Sequence, residues 1–95
     1  SAKTRANTQN ITSLYKNIVK AYQKSIDESK ARGDDLGVIN SLNSFIDFFL
    51  YWDIPEYANI YATEAICIDK KMEQKNPMVS AQVYINKVRA LYQIG

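Results

Sequence analysis

The residues from 39 to 71 have the clearest structural pattern in the sequence, that of two helices joined by one short turn. Large apolar residues recur at intervals of three or four, the spacing of one helix face, at Leu42, Phe45, Ile46 and Phe49. After a break at Asp53-Ile54-Pro55, the corresponding positions of the next helix hold Ala58, Ala62 and Ala65. Small residues let a neighbouring helix approach closely, and bulky rings can fill the space above them. The stretch therefore predicts two antiparallel helices that pack rings against alanines.

Two further helices are predicted, one on either side of this hairpin. Helical spacing of apolar residues begins at about residue 8 and continues to Gly33-Asp34-Asp35, where glycine ends the helix and an aspartate caps the next one. A second break at Asn76-Pro77 precedes a fourth helix that stops at Gly95. Residues 1–7 are expected to be disordered or frayed, and residues 8–95 to form one helical repeat domain. The predicted fold class is all-α, with four helices arranged as antiparallel hairpins.

The fourth helix is expected to turn its apolar side inward, because a surface helix ordinarily buries that side. The residues expected to face inward are Ala81, Tyr84, Ile85, Val88, Leu91 and Tyr92. The polar stripe expected on its outer side consists of Gln82, Asn86, Arg89 and Gln93.

The composition is that of an ordinary globular chain, and it disfavours two classes of partner. Of the 95 residues, 46% are hydrophobic and 23% charged, and the net charge is +2. So slight a charge does not supply the phosphate neutralisation of generic nucleic-acid binding, and we expect no nucleic-acid partner. No apolar run approaches the ~20 residues of a membrane-spanning helix, so we expect no membrane insertion. The single cysteine, Cys67, cannot form an internal disulfide, so the fold does not depend on an oxidising compartment. This is compatible with a cytoplasmic location, and a targeting segment removed before Ser1 is the alternative.

The residue types that carry most enzyme chemistry are scarce in this sequence. It contains no histidine, the commonest acid–base residue at neutral pH and a frequent zinc ligand. Cys67 has no histidine or second thiol to activate it, and no glycine-rich loop is present to hold a phosphate. A helix cap and a solvated face account for the neighbouring acidic residues Asp47, Asp53 and Glu56. We therefore expect no catalytic residue, no metal site, no cofactor and no enzymatic activity.

The chain also repeats itself with a period of about 40 residues. Shifted by that amount, Ser25-Ile26 falls on Ala65-Ile66, so the first helix corresponds to the third. The second helix aligns with the fourth when this shift is changed by one or two residues. Repetition with this period is typical of stacked helical hairpins, in which each unit buries its surface against the next.

The repeated unit resembles the tetratricopeptide repeat (TPR) family, in particular its longer-period members. The resemblance is clearest from residue 41 to residue 69, with large apolar residues on the first helix and alanines on the second. The chain departs from the family pattern at three points: Ile46 stands where a small residue is usual, Asp53 stands where glycine is usual, and no proline closes the third helix. The resemblance implies a right-handed superhelix of stacked hairpins, with about two repeats in this chain and more in a longer array.

In TPR proteins, the first helices of successive hairpins line a curved groove that holds extended peptides or partner helices. Carried over by position, the resemblance places six residues in such a groove: Asn40, Asn43, Asp47, Gln82, Asn86 and Arg89. Amide side chains both donate to and accept from a peptide backbone, and an arginine can bind a carboxylate through two hydrogen bonds. The resemblance therefore implies an interaction scaffold for a protein or peptide partner, for example the sensory or regulatory arm of a bacterial signalling protein.

The fourth helix offers an alternative function. It lacks the following helix that the repeat pattern calls for, and exposed apolar surface of this kind often marks an interface. The protein would then be a homo-oligomer, a helical dimerisation module joined through its C-terminal helix and without a peptide groove. Light scattering discriminates between the two hypotheses, since a monomer with little exposed apolar area disfavours the second.

Overall fold

A computed structural model describes residues 2–95, and it describes the side-chain surroundings of residues 12–95. It contains four α-helices: α1 (Ala2–Ala31), α2 (Asp35–Tyr51), α3 (Pro55–Lys71) and α4 (Pro77–Ile94). No strand occurs in the described range. The predicted all-α fold class with four helices is thus confirmed. The frayed segment expected at residues 1–7 lies outside the residues whose side-chain surroundings are described, and it stays a prediction.

The turn between α1 and α2 depends on two glycines and an aspartate. Gly33 has a φ of 67°, in the left-handed region that glycine adopts without steric cost. The Asp34 carboxylate caps α2 by accepting a hydrogen bond from the backbone N–H of Gly37 at 2.9 Å. A Cβ atom on Gly37 would collide with that carboxylate, so the cap requires glycine at this point.

The other two turns follow the breaks seen in the sequence. Asp53 has a φ of 57°, which places an aspartate in the backbone conformation that favours glycine, and Pro55 is the first residue of α3. At the start of α4, the side-chain oxygen of Asn76 accepts hydrogen bonds from the backbone N–H groups of Met78 and Val79 at 3.1 and 3.2 Å. All three breaks therefore separate helices where the sequence predicted them.

The core is centred on α2. Its buried residues include the predicted inward stripe and extend to both sides of it: Val38, Ile39, Leu42, Phe45, Ile46, Phe49 and Leu50. The Phe45 ring lies between Tyr22 of α1, at a centroid distance of 5.1 Å, and Tyr61 of α3, at 4.7 Å. The alanine stripe of α3 is fully buried, at Ala58, Ala62 and Ala65. The predicted packing of rings against alanines is confirmed.

Helix α4 packs against both α3 and α2, whereas α1 packs along α2. As a result α2 and α4 lie side by side, with α3 behind them. The α4 side that meets this pair is narrow and consists of small or polar buried residues, namely Val83, Asn86 and Ala90.

The predicted orientation of α4 is wrong. Of the residues expected to face inward, Val88 is 66% exposed and Tyr92 is 87% exposed, while Asn86 from the expected outer stripe is buried. One physical reason is steric, because the compact side chains of Val83 and Ala90 let the α4 backbone approach two helices at once. Large side chains on the same helix are consequently left on its outer side.

Candidate functional site

Polar contacts with α3 fix the rotation of α4 about its own axis. The Ser80 hydroxyl donates to the buried carboxylate of Asp69 at 2.6 Å. One turn or two further along, the Lys87 ammonium donates to the side-chain oxygen of Asn59 and, at 2.9 Å, to the hydroxyl of Thr63. Hydrogen bonds to charged groups are among the stronger ones in proteins, so these contacts hold one side of α4 against α3. Two surfaces of α4 follow from this rotation, one beside α2 and one facing outward.

A shallow polar concavity lies between α2 and α4, and we call it the α2/α4 concavity. Its volume is about 300 Å³. Its lining residues are Asn43, Ser44, Asp47, Gln82 and Asn86.

The buried Asn86 amide organises this concavity. Its nitrogen donates to the side-chain oxygen of Asn43 at 3.1 Å, which links α4 to α2. Its oxygen accepts from the Gln82 amide at 2.9 Å and from the Arg89 guanidinium at 3.1 Å. Both polar atoms of the buried Asn86 side chain therefore have hydrogen-bond partners, and all three partners are neighbouring side chains.

The rim of the concavity carries an ion pair between the two helices. The Arg89 guanidinium donates to the Asp47 carboxylate at 2.9 Å, and their side chains are 42% and 64% exposed. Ion pairs this exposed contribute only about 0–1 kcal/mol to stability, because water screens them. The main effect of this pair is geometric, since it holds both side chains over the concavity.

The structure brings together five of the six residues that the sequence placed in a groove. These five form the network just described: Asn43, Asp47, Gln82, Asn86 and Arg89. Asn40 is exposed one turn earlier on α2 and does not line the concavity. Ser44 lines it and was absent from the predicted set, although a polar side chain directly after Asn43 was a usable signal. Because Asn86 is buried, its role is to position its neighbours rather than to contact a partner.

The residues that line the α2/α4 concavity keep unused hydrogen-bonding capacity. Gln82 donates one of its two amide hydrogens to Asn86, which leaves its second hydrogen and its carbonyl oxygen. Asp47 accepts through one carboxylate oxygen and retains the other. Ser44 is exposed, and its hydroxyl can both donate and accept. The concavity therefore offers donors and acceptors side by side, the combination that a peptide backbone requires.

The second surface is the side of α4 that points away from the other helices, and we call it the α4 outer face. Its members all lie within an arc of about 140° on a helix that turns 100° per residue. They are Met78, Ala81, Tyr84, Ile85, Val88, Leu91 and Tyr92, each of them exposed. None of these side chains is charged, so α4 is apolar over most of its solvent-facing surface.

A further apolar concavity lies at the other end of the molecule, between α1 and α2. Its volume is about 360 Å³. Its apolar lining consists of Leu14, Tyr15, Ile18, Phe48, Trp52 and Ile54. Within this lining, the ring of Phe48 packs against that of Tyr15 at 5.6 Å between centroids. We call it the α1/α2 concavity.

The described part of the chain holds no group of three or more His, Cys, Asp or Glu side chains that could bind a metal ion. None of its helices is both long and apolar enough to cross a membrane. The Cys67 thiol is free and exposed on α3.

Comparison of the chain with models of protein families, with curated proteins and with solved structures finds no match. The function of the two α4 surfaces must therefore be argued from their own geometry and chemistry.

Proposed function

We propose that the protein is a helical interaction scaffold that holds an extended peptide segment of a partner protein in the α2/α4 concavity. The observation that carries this proposal is the side-chain network centred on Asn86, which fixes donors and acceptors from two helices at defined positions. Groups that are already ordered lose little conformational entropy when a ligand binds, so less of the interaction energy is lost.

The chemistry of the concavity matches the backbone of an extended peptide. Such a backbone presents alternating N–H and C=O groups, and it needs donors and acceptors close together. Gln82 supplies an amide hydrogen and a carbonyl oxygen, and the Ser44 hydroxyl supplies either function. Side chains of the α2/α4 concavity thus provide affinity for any extended segment.

The ion pair at the rim adds a preference for charge. Arg89 already binds Asp47, so a carboxylate of the peptide would have to displace an internal partner. The second oxygen of Asp47 can still accept from a lysine or arginine of the peptide. We therefore expect the concavity to favour peptides with a basic side chain over peptides that present a carboxylate at this point.

The resemblance to TPR proteins supports the same class of function, because their first helices form the surface that binds peptides. The left-handed backbone of Asp53 adds to the resemblance, since the family keeps glycine at that position. The resemblance also extends the proposal to a regulatory arm of a bacterial signalling protein, in which the bound segment belongs to another component.

The proposal can be tested by blocking the concavity. Short random peptides displayed on phage are selected on the immobilised protein, and labelled synthetic copies are titrated by fluorescence anisotropy. Ser44→Trp places a large ring over the concavity and should weaken binding about tenfold or more. Lys20→Trp is the matched control, because it adds the same ring to an exposed position on α1 and should leave affinity unchanged. Circular dichroism checks that both variants keep the helical fold.

Two outcomes would contradict the proposal. One is that Ser44→Trp binds the selected peptides as tightly as the unmodified protein. The other is that the side-chain amide signals of Asn43 and Gln82 do not shift in nitrogen–proton NMR spectra when a selected peptide is added. Either result would leave the network only a structural role in joining α2 to α4.

A further inference from the structure

We propose that the α4 outer face pairs with the same face of a second copy of the chain, so that two α4 helices lie antiparallel across a two-fold axis. This inference is independent of the peptide proposed for the α2/α4 concavity, because it uses a different set of α4 residues. It concerns an apolar interface rather than a polar one.

The α4 outer face is both large and apolar, which is unusual for a surface exposed to water. Met78 is 83% exposed and Tyr92 is 87% exposed, and the residues between them on this face are also apolar. Scattered apolar residues on a surface need no explanation, but a contiguous patch marks an interaction site. A face without charge gives no electrostatic preference for a particular partner, and it creates no like-charge repulsion when it meets itself.

The spacing along α4 is that of a helix–helix seam. Five residues of the outer face are separated alternately by three and four positions: Met78, Ala81, Ile85, Val88 and Tyr92. This alternation is the heptad pattern in which side chains of one helix enter holes of the other. A partner that is itself a helix with the same spacing fits this surface, and a second copy supplies one.

The seam is also complementary to itself when the two helices run in opposite directions. With the two-fold axis between Ile85 and Val88, Ile85 lies opposite Val88 of the second copy. The same axis places the small Ala81 opposite the large Tyr92 of the second copy. Layers that pair a small side chain with a large one fill space evenly, and a two-fold axis repeats each such layer twice.

The available area is sufficient for a specific dimer. The six large side chains of the α4 outer face are 45–87% exposed, which for residue surfaces of roughly 150–250 Å² is an apolar area on the order of 700 Å² per copy. A specific interface of standard size buries about 800 Å² on each partner. The nearest basic side chains, Lys87 and Arg89, are already engaged by α3 and α2, so neither places an unpaired charge in the seam.

The experiment compares two isoleucines of similar exposure, one on the proposed interface and one outside it. Ile85 of α4 is 51% exposed and Ile60 of α3 is 57% exposed. Sedimentation velocity over a range of concentrations should show dimers for the unmodified chain and for Ile60→Glu. Ile85→Glu buries an unpaired carboxylate in the seam and should raise the dimer dissociation constant on the order of 100-fold or more. Circular dichroism confirms that the variants are folded.

The antiparallel register is tested by disulfide trapping in a Cys67→Ser background, which removes the free thiol. Ala81→Cys and Tyr92→Cys chains are mixed and oxidised. The proposed register predicts a covalent dimer in the mixture and little in either chain alone, because a disulfide requires Cα atoms within about 7 Å.

Several results would overturn the proposal. An unmodified chain that stays monomeric at all concentrations contradicts it. If that monomer also sediments with phosphatidylcholine vesicles, the α4 outer face contacts lipid instead of a second copy, and the proposal is contradicted in the same way. A dimer that Ile85→Glu leaves intact contradicts it as well, because the interface must then lie elsewhere. Equal trapping of either cysteine chain with itself would contradict the antiparallel register and favour parallel helices.

Discussion

Helices α2 and α4 occupy corresponding places in successive hairpins, yet they use their apolar residues in different ways. On α2, large rings such as Phe45 and Phe49 are buried between neighbouring helices. On α4, the large side chains point outward, and the buried side consists of Val83, Asn86 and Ala90. The number of neighbours explains the contrast, because α2 packs against all three other helices and α4 against two. Large apolar side chains therefore contribute to the core on α2 and are exposed to solvent on α4.

The difference between α2 and α4 is tested most strongly by removing one large ring from each helix. Phe45→Ala deletes a fully buried ring that contacts rings of α1 and α3, and it should lower the free energy of unfolding by about 3–5 kcal/mol. Tyr92→Ala on α4 should change it by less than about 0.5 kcal/mol in the monomer, because that ring is already in water. Urea unfolding at a concentration that favours the monomer measures both. Equal losses would mean that α4 contributes to the core as α2 does.

A second test of the same difference enlarges a side chain in the core and one on the outer face of α4. Ala62 of α3 is fully buried, so Ala62→Leu overpacks the core against α2 and should cost about 1–3 kcal/mol of unfolding free energy. Ala81→Leu makes the same chemical change on the exposed side of α4 and should cost less than about 0.5 kcal/mol. Thermal and urea unfolding of both variants provide the measurement. A large loss from Ala81→Leu would show that the α4 outer face is packed within the monomer.

The smallest expected effect concerns the polar link between the two helices. Asn86→Ala removes the buried amide that joins α4 to Asn43 of α2, and it leaves that partner without its hydrogen bond. We expect a loss of about 1–2 kcal/mol in unfolding free energy, the usual cost of an unsatisfied buried group. Gln93→Ala on exposed α4 surface is the control and should have no measurable effect. An Asn86→Ala variant as stable as the control would show that the network does not hold α4 against α2.

The sequence was sufficient for the helices and the central hairpin because those features are local. Gly33, Asp34, Pro55 and Asn76 act on the backbone within a few residues of themselves, and their effects can be recognised without knowing the fold. The alanine stripe of α3 can also be recognised from the sequence, because small residues at helical spacing indicate close packing. The structure confirms the breaks and the stripe.

The orientation of α4 could not be predicted from its own residues. Hydrophobic periodicity states which side of a helix is apolar, and it assumes that this side meets the core. On α4 the assumption fails, because polar partners on α2 and α3 bind the narrow side that contains Asn86. Asn43 is 43 residues away from Asn86 in the sequence, and Thr63 is 24 residues away from Lys87. Only the fold brings these residues together.

The candidate site was predicted more fully than the orientation that creates it. Six polar residues of α2 and α4 were assigned to one groove, and five of them meet across the concavity. The sequence did not indicate that Asn86 would be buried or that Arg89 would bind Asp47 instead of a ligand. Both facts depend on distances between helices, which a single-helix pattern does not contain.

The attachment of α1 has a consequence for how the molecule opens. Within the described residues, the backbone of α1 packs along α2 alone, and α1 reaches α3 through side chains such as Lys30, which pairs with Glu64 at 3.0 Å. An element held along one edge can separate without breaking the contacts among the remaining three helices. Amide hydrogens of α1 should then exchange with solvent through a local opening of lower free energy than global unfolding. We expect opening of this kind to expose the rings of Tyr22 and Phe45 to solvent, because these two rings stack against each other between α1 and α2.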